Sequence, residues 1–202
     1  MKNRIKFIYF DIGGVLFDWR AAMTKIAEKL DVSLEQLKLV FHKFDDDACR
    51  GVITQKDLWL IYQKELKLKK ALDFDIGQFW TDHFYQIPDS HQLLRDLSVK
   101  FPIGLLTNIY PGVFPKILDK GHIPNIHYKV ILQSCDLGVI KPEKEIYQIA
   151  QIAARVKHEE ILFLDDLEVN VQAAKKLGWQ AFLVDKDKPQ ITTNSIRKML
   201  LS

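Results

Sequence analysis

Asp11, the pair Thr107–Asn108, Lys141 and the pair Asp165–Asp166 are the residues of this chain whose types and settings suit chemistry. Asp11 follows the apolar run Phe7–Phe10, Thr107 and Asn108 follow Ile103–Leu106, and the two aspartates follow Ile161–Leu164. Lys141 precedes Pro142 at the head of a helical pattern. Carboxylates gathered at one point repel each other unless a cation lies between them, and hard oxygen donors favour Mg2+. A hydroxyl, a carboxamide and an ammonium are phosphate-binding groups. Together these residues predict phosphoryl transfer, provided that the fold brings them to one place.

The elements that must do so can be read from the periodicity. Residues 5–10 form a β-rich run stopped by the turn Asp11-Ile12-Gly13-Gly14. Residues 19 to 85 then lack convincing strands. Trp19, Met23, Ile26, Ala27 and Leu30 recur at helical spacing, and Ser33 with Gln36 resembles a capping box opening a second helix through Phe44. Thr54 with Asp57 starts a third helix carrying Leu58, Ile61, Tyr62 and Leu66, and Phe74–Tyr85 reads as a fourth.

From residue 90 helices and strands alternate. Helices are predicted at His91–Val99, Val113–Asp119, Pro142–Val156 (with the proline at the first helical position) and Val169–Leu177, the last closed by Gly178. Strands are predicted at Ile103–Thr107, Lys129–Leu132, Ile161–Leu164 and Ala181–Val184. Nearly all-apolar strands alternating with helices imply an α/β fold, a Rossmann-like doubly wound parallel sheet covered on both faces. The expected organisation is a catalytic core of residues 1–16 and 91–202 and an inserted helical-bundle cap of residues 17–90. The carboxyl ends of such strands form the ligand crevice, where Asp11, Thr107 and Asp166 would meet. The tail after Pro189 is polar and gives little information.

Composition narrows the classes. The 202 residues are 48% hydrophobic and 27% charged, ordinary for a soluble globular enzyme and too apolar for a disordered chain. The 29 basic and 26 acidic residues give a net charge of +3, without the basic excess of a nucleic-acid binder. No apolar run approaches the roughly 18 residues of a membrane span. The basic start (Lys2, Arg4, Lys6) leads into too short an apolar stretch for a signal peptide, which needs about 7–15 residues. Cys49 and Cys135 cannot build a disulfide scaffold. A cytoplasmic monomer or homodimer is expected, acting on a small phosphorylated metabolite.

Four segments in order resemble the motifs of the haloacid dehalogenase-like hydrolase superfamily. They are Phe10-Asp11-Ile12-Gly13-Gly14-Val15-Leu16, Leu105-Leu106-Thr107-Asn108, Gly138-Val139-Ile140-Lys141-Pro142, and Phe163-Leu164-Asp165-Asp166 with Asn170. A helical cap between the first two motifs is a further likeness. The run from Asp165 through Ala173-Ala174 to Leu177-Gly178 is similar to sugar-phosphate phosphatases and to the N-terminal phosphatase domain of soluble epoxide hydrolases. The resemblance implies Asp11 as the nucleophile forming an aspartyl-phosphate. It implies Thr107 and Asn108 as holders of the phosphoryl group, and Lys141 as the cation that neutralises it. Asp166 would be the main Mg2+ ligand, with Asp165 beside it, Asp11 shared, and the Gly13 carbonyl contributing.

One position departs from that pattern. Most phosphatases of the superfamily carry a general acid–base aspartate two residues after the nucleophile, and here that residue is Gly13. Such a group is typically worth ~10²–10⁴ in rate. An alternative reading is therefore a catalytically weak or silent phosphate-binding module. A haloacid dehalogenase is a further alternative, but it needs no Mg2+ site, and Asp165–Asp166 argue against it.

Other candidates read as structural. Asp73-Phe74-Asp75 opens like an EF-hand loop, yet Gln78 and Phe84 stand at its sixth and twelfth positions, where glycine and glutamate belong. Asp45–Asp47 reads as a solvated acidic run, Lys64–Lys70 as a solvated helix end, and Phe17 and Trp19 as core packing. The six histidines show no metal-ligand spacing, with His83 the candidate for a substrate contact.

Overall fold

The computed structural model describes residues 5–68 and 74–201. Its elements in chain order are β1 (Phe7–Phe10), β2 (Phe17–Asp18), α1 (Arg20–Leu30), α2 (Leu34–Cys49), α3 (Gln55–Glu65), α4 (Ile76–Asp82) and β3 (Tyr85–Gln86). There follow α5 (Pro88–Ser98), β4 (Ile103–Thr107), α6 (Val113–Asp119), β5 (Val130–Gln133), α7 (Ser134–Leu137) and α8 (Lys144–Ala154). The chain ends with β6 (Ile161–Asp165), α9 (Glu168–Lys176), β7 (Gln180–Leu183) and α10 (Pro189–Leu200).

Five parallel strands form one sheet in the order β5-β4-β1-β6-β7. Alternate residues of the central strands face opposite layers, as a period of two requires. Ile8, Phe10, Leu105, Leu162 and Leu164 join the core that runs under the helical insert, α5 and α10. Phe7, Tyr9, Leu106 and Phe163 pack instead with Ile146, Tyr147 and Ala150 of α8 and with Val171 and Ala174 of α9. Because both faces are covered, these strands can be apolar throughout.

Helices α1–α4 are inserted between β2 and β3, whose short antiparallel pair (Phe17 opposite Gln86, Asp18 opposite Tyr85) closes the base of the insert. The capping box at Ser33 is present, with its hydroxyl accepting from the Gln36 N–H and Gln36 Oε1 accepting from the Ser33 N–H. The Thr54 hydroxyl caps α3 by accepting from the Asp57 N–H, and the Asp75 carboxylate caps α4 by accepting from the Gln78 N–H.

Several boundaries differ from expectation. Helix α2 runs to Cys49 rather than stopping at Phe44, and α4 is shorter than Phe74–Tyr85. The helix predicted from Pro142 begins at Lys144, after a cis Lys141–Pro142 bond and a turn in which the Glu143 N–H donates to the Ile140 carbonyl. The tail forms helix α10, which buries Thr193, Ile196 and Leu200 and packs on α5. Lys64 and Lys67 are exposed as expected, whereas Lys69, Lys70 and Asp73 lie outside the described residues, as do Lys2 and Arg4. Among the described residues no helix is long and apolar enough to cross a membrane.

Candidate active site

The carboxyl ends of β1, β4 and β6 lie side by side, because Phe10 is in register with both Leu105 and Leu164. Asp11, Thr107, Asp165 and Asp166 are therefore brought to one edge of the sheet. Carboxylate oxygens of Asp11, Asp165 and Asp166 lie within 4.8 Å of one another. Lys141 reaches them from the loop before α8: its ammonium is 2.9 Å from Asp11 Oδ1 and 2.6 Å from Asp165 Oδ2.

The loop carrying Lys141 is pinned by Asn108. Its side-chain amide donates to the Lys141 carbonyl at 2.9 Å, and its Oδ1 accepts from the Lys141 N–H at 2.8 Å. This two-ended clamp, made from across the sheet, holds Lys141 outside any helix. Asp165 is held just as firmly. The Asn170 amide donates to both of its oxygens at 3.0 and 3.1 Å, and the Leu167 N–H donates to Oδ1 at 2.8 Å. Asp166 has a different partner, the Lys186 ammonium at 3.1 Å from its Oδ2.

The electrostatics of the group are those of excess negative charge. Burial raises the Asp11 pKa; Lys141 opposes the shift, and Asp165 and Asp166 add to it. Burial and the neighbouring Asp165 raise Asp166 as well, against the pull of Lys186. Burial works against the charge of Lys141, but Asp11 and Asp165 hold its pKa above the ordinary value. Two ammoniums thus leave three carboxylates under-compensated. A divalent cation with a preference for hard oxygens would supply what is missing, so the residues fit such an ion. The Gly13 carbonyl accepts no backbone hydrogen bond among the described residues and is free to join them.

Most of these residues, Asp165 excepted, line one cavity of about 220 Å³ between the sheet edge and the insert. Its polar end holds Asp11, Thr107, Asn108, Lys141, Asp166 and Lys186. Its other end is walled by aromatic rings.

A model of the haloacid dehalogenase-like hydrolases matches residues 5–178. The chain belongs to this family. Rat bifunctional epoxide hydrolase 2 is 36% identical over 58 residues, which are 29% of this chain and 10% of the rat protein. The D-ribitol-5-phosphate phosphatase of Bacteroides thetaiotaomicron is 26% identical over 193 residues, covering 88% of this chain and 91% of that one. A solved haloacid dehalogenase-family enzyme from the same organism, in complex with magnesium and inorganic phosphate, superposes with a TM-score of 0.71. It is 23% identical and covers 90% of this chain and 95% of its own, so it speaks to the fold alone.

On this haloacid dehalogenase-like scaffold, several side chains lie elsewhere than the periodicity suggested. Phe17 and Trp19 pack into the core, and both also line the cavity. Of the acidic run, Asp46 and Asp47 are exposed, but Asp45 faces the cavity and accepts from the Tyr110 hydroxyl at 2.5 Å. His83 is not among the lining residues; its Nδ1–H donates to the Phe79 carbonyl at 2.8 Å. Cys49 lines the cavity, and burial raises its thiol pKa strongly, which disfavours the thiolate. Lys186 had no sequence signal, being one lysine in a polar stretch.

Proposed function

We propose that this chain is a Mg2+-dependent phosphatase of small phosphorylated metabolites, working through an aspartyl-phosphate on Asp11. The carrying observation is the buried group of three carboxylates with the Lys141 ammonium bonded to Asp11, at one end of a small cavity. Support comes from the relative named a D-ribitol-5-phosphate phosphatase. Sugar phosphates are the substrate class that this relative suggests. Residues 1–16 and 91–202 would act as the catalytic core and residues 17–90 as its cap.

In this reading Asp11 and Asp166, with the Gly13 carbonyl, hold the ion. Asp165 completes the acidic group and, with its oxygens already accepting from Lys141, Asn170 and Leu167, acts chiefly to position Lys141. Held there, a Mg2+ ion would supply charge neutralisation at the phosphoryl oxygens. An Asp11 carboxylate oxygen attacks phosphorus while Lys141 and the Thr107 hydroxyl hold the phosphoryl oxygens. Asn108 stands beside them and fixes the Lys141 loop. The bond from phosphorus to the leaving oxygen breaks, and that oxygen keeps the electron pair and takes a proton from water. A second water then attacks the aspartyl-phosphate, releasing inorganic phosphate and restoring the carboxylate.

The test is hydrolysis of an aryl phosphate with and without Mg2+, by the wild type and by Asp11→Asn. Metal-dependent turnover that falls to background in the variant is expected. Activity that is absent, independent of metal, or undiminished in Asp11→Asn overturns the reading. The silent-module alternative rests on Gly13, where no acid–base side chain exists, and robust turnover of a physiological phosphate ester dismisses it. A dehalogenase would have no use for the acidic group.

A further inference from the structure

The cavity beyond the carboxylates is built from rings. Trp19 stacks near Phe41 with centroids 5.9 Å apart, and Trp80 meets Phe41 edge-on at 5.6 Å and Tyr110 at 5.5 Å. Phe84, stacked on Phe17 at 4.5 Å, extends the same wall. The rings come from four separate places: Trp19 caps α1, Phe41 lies on α2, Trp80 on α4, and Tyr110 follows β4. Trp19 and Tyr110 both line the cavity. Trp19 also borders Gly13, with its Cδ1 3.5 Å from where a Cβ would stand. The rings therefore begin where the phosphoryl end stops.

Polar groups at this end are few: the buried Trp80 indole N–H has no hydrogen-bond partner among the described residues, and the others are engaged. The Tyr110 hydroxyl donates to Asp45, and the Cys49 thiol lies 3.8 Å from the same carboxylate oxygen. A polyol chain seated here would lose water from several hydroxyls and find one unpartnered indole N–H and one carboxylate already in use. Buried polar groups without partners are costly. A flat apolar ring would lose nothing on desolvation and would meet the faces and edges that aromatic pairs prefer. Size agrees, since an apolar cavity of about 150 Å³ accepts benzene, and this one has about 220 Å³ for ring and phosphoryl group together.

We infer that the ring-lined end is a leaving-group subsite for aromatic phosphate monoesters, with a ring bounded by Trp19, Phe41, Trp80 and Tyr110. The inference rests on the phosphatase reading and selects against the polyol phosphates which that reading admits. Gly13 agrees independently, because a phenolic oxygen departs with less need of a proton donor than an alcohol does.

The experiment uses non-hydrolysable probes, so that binding is separated from leaving-group reactivity. Phenylphosphonate, methylphosphonate and a hydroxylated alkylphosphonate of similar length are compared as inhibitors of acetyl phosphate hydrolysis, and by calorimetry in Mg2+. Phenylphosphonate is expected to bind at least tenfold more tightly than either other probe. Trp80→Leu, or Phe41→Leu should the first variant not fold, is expected to shrink that ratio several-fold. Equal binding of the three probes, or preference for the hydroxylated one, overturns the inference. Acetyl phosphate has a leaving group too small to reach the rings. Its turnover without ring preference sinks this inference alone, and its failure to turn over sinks the phosphatase reading beneath it.

Discussion

The Asp166 carboxylate lies directly over the α-carbon of Gly14, so closely that a Cβ there would overlap the carboxylate carbon and both oxygens. Gly14 also has φ +75°, in the left-handed region. Two separate constraints, conformational and steric, therefore meet at one residue beside the acidic group.

Gly14→Ala should fail on both counts. The left-handed backbone costs roughly 1–3 kcal/mol for a non-glycine residue, and the Asp166 carboxylate must shift to make room. Denaturant unfolding is expected to show a loss of that order. Calorimetric Mg2+ binding is expected to weaken by more than tenfold. A variant that keeps wild-type Mg2+ affinity would mean that Asp166 is not a ligand.

Lys141→Met should be strongly destabilising even without substrate. The side chain is 1% exposed and bonds two carboxylates that are themselves buried. Removing one partner of a buried ion pair typically costs about 3–5 kcal/mol. Urea unfolding at pH 7 without metal is the measurement. A loss under ~1 kcal/mol would show that Asp11 and Asp165 find other compensation.

Two buried histidines should make the fold acid-sensitive. The His91 Nε2–H donates to the carbonyls of Leu16 (2.9 Å) and His122 (3.1 Å), and the His122 Nε2–H donates to that of Thr81 at 2.7 Å. These bonds tie the insert's base to the core. Burial lowers both histidine pKa values, in each case against the pull of these carbonyls. A histidine whose folded pKa is depressed binds fewer protons in the native state, so stability falls as pH drops below the unfolded value of about 6.5 and levels off below the folded one. His91→Gln should therefore lose less stability between pH 7 and pH 5 than the wild type. Shifts of the buried carboxylates cancel in that difference. Parallel pH profiles for the two proteins would refute it.

The strand ends were legible because apolar runs that stop at Asp11, Thr107 and Asp165 mark both a buried sheet and its polar edge. What escaped was set by contacts at a distance. The loop around Lys141 is held by Asn108, and nothing near Pro142 signals that. Lys186 meets Asp166 from a polar loop whose composition is that of any solvated turn. Two features were readable in principle. Thr193, Ile196 and Leu200 have helical spacing, and Asp45 lies midway between Phe41 and Cys49 at intervals of four on one face of α2. Ending α2 at Phe44 hid the second pattern, so Asp45 read as one of three solvated aspartates.

Restoring the missing carboxylate tests how Gly13 shapes the chemistry. Gly13 is absent from the positive-φ positions, and a Cβ there would meet Trp19 Cδ1 at 3.5 Å and Nε1 at 3.6 Å, which is ordinary contact. Gly13→Asp should therefore fold, in contrast to the strain at Gly14. The new carboxyl would stand beside Trp19, two residues from Asp11. General acid–base help is typically worth ~10²–10⁴, and it counts most where the departing oxygen is a poor leaving group. An alkyl phosphate should gain about a hundredfold in kcat/KM at the low end of that range. An aryl phosphate, whose phenolic oxygen leaves unaided, should gain much less at this step. Both share any benefit to water attack on the aspartyl-phosphate, so the ratio of the two gains isolates the leaving-group effect. Equal gains, in a variant that folds and binds Mg2+, would show that Gly13 does not set the leaving-group preference.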